Sequence, residues 1–337
     1  MALKNFFIIS IAVVAIIVII TAMFIYINPK TPANQGQLEL VTIGAEFTQV
    51  NMLLFVAQSR NYFSDNDLNV TLKQYNSGAA ALGAMINGEV NIAMSSEFSV
   101  VGKALANSSI SILGTIDRLQ QIYVVARKDR DIQNISDIAD KSVGLTIGNS
   151  AEFFLGRFLE LNNMNLSQVK IVDIQPNSIV DALTKGTVDA VVTWQPYINQ
   201  IENLMGPDIV GWPAQGGQQI YCAASAANSW INSHNRTVVK FLEAIAEAEK
   251  YLYSNPTDVK NILGNKLNYS AAYIDSIWSD HQFTLSLDQS LVLIMEDEAR
   301  WLITNNLTNA TTVPSFQNYI YVGGLAQVKP NSITIRW

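Results

Sequence analysis

The sequence predicts an α/β protein of two similar lobes, and three observations carry that reading. From residue 38 onward, short apolar runs alternate with helical patterns, which argues for parallel sheets. The phrase NGEVNIAMSSE at 87–97 returns as KGTVDAVVTWQ at 185–195. Each time a helix end is followed by a glycine, an apolar strand and a polar or aromatic loop. After residue 220 the chain is mostly helical with no sheet of its own, so it is expected to pack back on the first lobe. With 337 residues, 49% hydrophobic and 15% charged, the chain can fill one large or two medium cores.

In the first half, 38–44 reads as a strand and 51–63 as a helix ending near Asn61. Residues 68–75 alternate like a strand, and 77–88 form a small-residue helix closed by Gly88. Strands follow at 90–95, 110–116 and 122–128, all assigned to this half. In the second half, 142–148 is a strand, 151–164 a helix, 169–174 a strand, 178–186 a helix and 188–193 a strand. Gly88 and Gly186 suit the position just after a helix, where positive φ is needed. Residues 220–228 return as a strand. A long helix at 235–256 is capped by Asn235 and stopped by Asn255-Pro256, with Val238, Leu242, Ile245 and Leu252 on one face. More helices are expected at 257–264, 270–279 and 289–306. The expected lobes are 38–126 with 223–337, and 127–222.

The first 37 residues stand apart. Phe6–Ile27 is apolar but for Ser10 and Thr21 and carries no charge. As a helix it would reach ~33 Å, enough to cross a bilayer core of ~30 Å. Lys4 on its short side places the rest of the chain outside the cytoplasm. The run exceeds a signal-peptide core and lacks a small-residue cleavage site, so an uncleaved anchor at 6–27 is expected, followed by a polar tether at 28–37.

The net charge of −7 and the absence of a long basic run exclude nucleic acid as an expected partner. A lone cysteine, Cys222, forms no internal disulfide. Eight N-x-S/T triplets begin at Asn69, Asn107, Asn134, Asn165, Asn235, Asn268, Asn306 and Asn309, compatible with an exported glycoprotein. His234 and His281 offer no metal-ligand spacing and read as solvated polar residues. No metal and no cofactor is expected.

A strand–turn–helix such as 142–161 can serve three chemistries. Gly148-Asn149-Ser150 lacks the lysine of a phosphate loop. Gly148 to Glu152 is four-fifths of a nucleophile elbow, but Glu152 replaces the last glycine and no histidine is placed to serve as base. The reading that remains is a clamp: amides at a helix start, with Ser150 and Asn149 beside them, hold a ligand that is never changed. Asn76-Ser77-Gly78 is the counterpart in the first half.

The order of NMLLFVAQSRNYF, LNV, SGAAAL, NGEVNIA, IYVVARKD, ISDIADKSVG, GNSAEFFL, VDAVVTWQP and AIAEAEKYLYSNPTDV resembles the solute-binding proteins of ABC importers. The branch is the nitrate/sulfonate/taurine type, related to binders of the thiamine pyrimidine precursor, and the likeness covers about 38–300. It implies a two-lobed type II periplasmic-binding-protein fold, here with an N-terminal transmembrane helix, and hinge crossings near 125–129 and 218–224. It also implies a monomer that is not an enzyme and that delivers a small solute to an ABC permease and its ATPase. By matching position, the ligand would meet Glu46, Phe47, Thr48, Ser77, Gly78, Ser95, Ser96, Glu97 and Gln121 from the first lobe. Asn149, Ser150, Glu152, Trp194 and Gln195 would meet it from the second. Trp194 is the leading candidate, an aromatic face for a ring or alkyl group. This chain departs from the family in offering Glu46, Glu97 and Glu152 where an anion site wants cations, with Arg118 as the nearest positive charge. The charge of the solute therefore stays open. A sensor subunit, or a hydrolase or lyase on the same fold, is the alternative.

Overall fold

The computed structural model describes residues 38–337; the expected anchor and tether lie outside the described residues. Among the described residues no helix is long and apolar enough to cross a membrane.

Two sheets organise the chain. The first holds β1 (Glu39–Glu46), β2 (Leu68–Tyr75), β3 (Ile92–Ser96), β4 (Ile110–Leu119), β10 (Ile220–Ala227) and β11 (His281–Gln282), in the order β11-β4-β10-β3-β1-β2. The second holds β5 (Tyr123–Arg127), β6 (Ser142–Leu145), β7 (Lys170–Asp173), β8 (Ala190–Thr193) and β9 (Ile209–Pro213), in the order β7-β6-β8-β5-β9. Parallel pairing of β1 with β2 and β3, and of β6 with β7 and β8, is the product of the strand–helix alternation seen in the sequence. The main helices are α1 (Met52–Ser59), α2 (Gly78–Ile86), α3 (Glu97–Leu105), α4 (Ser150–Leu161), α5 (Tyr197–Met205), α6 (Asn235–Ser254) and α7 (Gln289–Thr304). Gly88 and Gly186 both have positive φ, at 78° and 73°.

Four expectations are corrected. The strand at 123–127 belongs to the second sheet, paired antiparallel with β8 and β9, so the chain crosses at 120–122 and returns at 214–219. The segments expected as hinges, 125–129 and 218–224, lie largely within β5 and β10. Strand propensity cannot say which sheet a strand joins, because pairing is a long-range contact. Residues 97–105 form a helix starting directly at the end of β3, with no glycine or proline to announce it. His281 is buried rather than solvated: its Nδ1 lies 2.5 Å from Asp117 Oδ2 and its ring stacks on Phe283 at 5.0 Å. The helical tail also contributes a strand, β11, to the first sheet.

Helix α6 behaves as its periodicity predicts. Val238, Leu242, Ile245 and Leu252 are all buried, and Phe241 stacks on Phe63 at 6.3 Å. Each such burial stabilises by about 1.5–3 kcal/mol.

Helix α7 reaches both halves. Trp301 meets Phe98 of α3 at 6.4 Å and Phe153 of α4 edge-on at 5.4 Å. Gly156 makes room for the indole, since a Cβ there would fall 2.2 Å from a ring carbon. One helix turn from Trp301, Glu298 is fully buried. So is Glu97, and no oxygen of either carboxyl has a hydrogen-bond partner. Burial raises both acids above the ordinary range, Glu97 to about 8, and each raises the other's cost of ionising.

Two outcomes follow from this seam. Gly156→Ala should destabilise the protein by about 1–3 kcal/mol through overpacking, read as a lower denaturant midpoint. The folded pKa values of Glu97 and Glu298 lie above those of the unfolded chain. Their favourable contribution is therefore full below the unfolded value of about 4.3 and is lost as pH rises, for Glu97 through about 8. Glu298→Gln should match the wild-type melting temperature near pH 4 and exceed it at pH 9.

Candidate functional site

The carboxyl ends of β1, β3 and β8 and the starts of α2 and α4 converge on a cavity of about 90 Å³ between the two sheets. That is room for a small organic solute or a few waters. Nine of the fourteen sequence-predicted residues line it: Glu46, Ser77, Gly78, Ser95, Ser96, Gln121, Asn149, Ser150 and Trp194.

The first sheet supplies half of the wall. Ser77 caps α2 by accepting from Ala80 N at 3.1 Å, which leaves the amides of Gly78 and Ala79 without an intrahelical acceptor. Gly78 must be glycine, because a Cβ would sit 2.8 Å from Ser95 Cα. Ser95 Oγ is buried without a partner. Gln121, at the crossing, accepts at its Oε1 from Gln49 Nε2 at 2.8 Å.

The second sheet answers in kind. Asn149 caps α4, its Oδ1 accepting from Ala151 N at 2.9 Å while its Nδ2 stays unpartnered. Ser150 Oγ is likewise buried and unpartnered. Trp194 Nε1 donates to Glu46 Oε1 at 3.3 Å across the gap. Ser99 Oγ donates to Gly148 O at 3.1 Å, and Gln49 Nε2 to Gln195 O at 3.3 Å. These three contacts join the two halves directly beside the cavity.

Five predicted residues do not line the cavity. Phe47 packs edge-on against Phe55 at 5.5 Å under Lys266. Thr48 is buried beside the following turn with Oγ1 unpartnered. Glu97 lies beneath, against α7. Glu152 turns back and accepts from Gly148 N at 2.8 Å, bracing the turn instead of meeting a ligand. Gln195 Oε1 accepts from Tyr273 OH at 3.1 Å. Phe47, Thr48 and Gln195 lie in short loops whose side chains face different ways, whereas Glu97 and Glu152 lie in the first turns of α3 and α4 and face away from the cavity. Sequence reasoning missed Asn51, Ser99, Cys222 and the apolar floor of Met94, Leu119, Ile122 and Ile220. Met94 sits at a strand end already in view, a usable signal, whereas Leu119 lies beyond the expected end of its strand at 116. Ile220 and Cys222 arrive only through the pairing of β10 with β3 and β4.

Among the described residues, no lysine or arginine lines the cavity. Arg118 is drawn off to Asp288 at 3.3 Å. The positive elements are the starts of α2 and α4, helices of nine and twelve residues whose dipoles favour an anion or an acceptor. Burial raises Glu46 to about 8, partly opposed by hydrogen bonds from Trp194 and Tyr197, so at neutral pH it is mostly an uncharged acid. The wall is thus far less negative than its composition implies. The set offers no activated nucleophile: Ser150 has no base, and burial pushes the Cys222 thiol well above its ordinary range. It can hold and orient a ligand. Glu46 carries a folded pKa above its unfolded value of about 4.3, so its contribution is complete in acid and lost as pH rises through about 8. Glu46→Gln should melt with the wild type near pH 4 and above it at pH 9, by differential scanning fluorimetry.

Comparison with known proteins gives concordant matches. The family model described as NMT1/THI5 like matches residues 49–259. The taurine-binding periplasmic protein of Escherichia coli is 23% identical over 206 residues, which cover 60% of this chain and 63% of that protein. The putative binding protein YtlA of Bacillus subtilis is 23% identical over 207 residues, covering 59% and 61%. The chain thus spans about three-fifths of the length of these relatives. Among solved structures, the alkanesulfonate-binding protein SsuA of Xanthomonas axonopodis pv. citri, bound to MOPS, superposes with a TM-score of 0.73 at 13% identity. It covers 85% of this chain and 99% of that one. The desulfurization enzyme DSZB superposes with a TM-score of 0.59 at 14% identity, covering 87% and 99%. These structures show the same two-sheet fold, and by the match over most of its length the chain belongs to the NMT1/THI5-like family.

Proposed function

We propose that the protein is an extracytoplasmic solute-binding component of an ABC import system. It closes its lobes on a small solute and delivers it to a membrane permease and its ATPase. The observation that carries this reading is the cavity between two sheets. Buried, unpartnered Ser95 Oγ, Ser150 Oγ and Asn149 Nδ2 meet there with two helix starts, and no group is placed for catalysis. Family membership and the binding proteins among its relatives support it. The apolar floor beside an amide-lined end suits a compact polar or anionic head carrying an alkyl or ring part. Sulfonate-, taurine- or nitrate-like solutes and a thiamine-pyrimidine-like ring are the classes in view. Closure follows from ligand contacts that exist only when the lobes meet. Residues 6–27 would tether a monomer to the outer face of the membrane, and export would also expose the glycosylation triplets to modification. An enzymatic role on this fold, for which DSZB is the precedent, would show as turnover of a bound compound.

The test is thermal stabilisation of the chain from Gln37 onward. The panel is taurine, alkanesulfonates, nitrate, bicarbonate, thiamine and its pyrimidine precursor. A cognate solute at 100–1,000 times Kd should add about 3–4 kcal/mol. Trp194→Ala and Ser150→Ala should each weaken its binding at least about tenfold, roughly the worth of one good buried contact. Unchanged affinity in both variants would overturn the site.

A further inference from the structure

All eight asparagines that open an N-x-S/T triplet are exposed. The chain carries roughly twice as many of these triplets as its asparagine, serine and threonine content gives by chance. A local role explains part of the pattern. Asn107, Asn268 and Asn306 hold φ of 58°, 57° and 56°, a conformation asparagine tolerates. For Asn268 and Asn306 the hydroxyl two residues later has a local role as well, Ser270 accepting from Tyr273 N and Thr308 from Ala310 N, and these two stand outside the pattern below.

Their placement is ordered by the topology. Asn69 is the second residue of β2 and pairs with Leu40 at the opening of β1. Asn107 lies just before β4 begins at Ile110, and Ala227, where β10 ends, pairs with that same Ile110. Asn235 follows that strand end, and its neighbours Thr237 and Lys240 bond Glu39, the first residue of β1. In the second sheet, Asn134 precedes β6 and Asn165 precedes β7, and the openings of these strands pair, Ser142 with Lys170. All five therefore lie at the amino ends of the parallel strands, whereas the cavity lies at the carboxyl ends. Strands of four to ten residues at ~3.3 Å per residue put roughly 13–33 Å between the two. The asparagines at the cavity escape the triplet: Asn51 is followed by Met-Leu and Asn149 by Ser-Ala.

We infer that Asn69, Asn107, Asn134, Asn165 and Asn235 are N-glycosylation sites, carried on the two poles of the protein that face away from the ligand cleft. In each, the asparagine amide nitrogen forms a bond to the anomeric carbon of a lipid-phosphate-linked oligosaccharide. The bond from that carbon to the phosphate oxygen breaks, the electron pair leaves with the lipid phosphate, and the amide proton passes to base. Sugar at the poles leaves lobe closure and ligand entry unobstructed. The inference rests on the extracytoplasmic placement proposed above.

The experiment recovers the full chain from membranes of the organism that makes it and maps glycopeptides by electron-transfer mass spectrometry. In parallel, whole cells are treated with external protease. Sugar increments on the five pole asparagines, in protein that the protease removes, are the expected result. Unmodified pole peptides in protease-accessible protein would overturn the inference while leaving export intact. Protease-protected protein would overturn export and the inference together. Thr71→Ala, Ser109→Ala, Ser136→Ala, Ser167→Ala and Thr237→Ala should each remove one increment, and an unchanged mass would refute that site. Enzymatic or chemical removal of the sugar should leave solute affinity within about twofold. A larger loss would refute the placement away from the cleft.

Discussion

Everything in this structure depends on one buried side chain that joins the two crossings between the sheets. Gln215 Oε1 accepts from Gln121 N at 2.6 Å and Ile122 N at 2.8 Å. Its Nε2 donates to Leu119 O at 3.1 Å and Gln218 O at 2.8 Å. A chain passing between two sheets must interrupt its ladders, and the amides and carbonyls it frees need partners when buried. One glutamine satisfies both strands of the crossing at once. Gln121 can then present its side chain to Gln49 and the cavity, and the lobes have a common pivot behind their mouth.

The acids show how burial redefines composition. Glu46, Glu97 and Glu152 look in sequence like three negative charges around a ligand. In the fold, Glu152 braces its own turn, Glu97 is held beneath the cleft against Glu298, and Glu46 is mostly neutral at pH 7. Desolvation disfavours the charged form more than the few donors present can offset. Helix starts without a cation are then compatible with an anionic group. The objection to such a ligand drawn from residue counts loses its force.

Helix α7 adds a constraint on motion. Trp301 fills the seam between α3 and α4, so the halves meet through an apolar contact as well as through polar atoms at the mouth. Any opening that exposed this seam would cost apolar burial.

What the sequence determined by itself was local and periodic. Strand–helix alternation gave the layered class, the repeated phrase gave two lobes, and the glycines at 88 and 186 marked helix ends correctly. The helix starts at Ser77 and Asn149 were legible because capping is read within four residues. Trp194 was legible because it follows a strand end. The tertiary structure decided whatever depends on contacts far apart in sequence. It settled which sheet claims residues 123–127, which strands bring Ile220 and Cys222 to the floor, that His281 is buried against Asp117, and which way Glu97 and Glu152 face. Propensity and periodicity act over a turn or two of chain, whereas strand partnership and the ionisation of a buried acid are set by neighbours a hundred residues away.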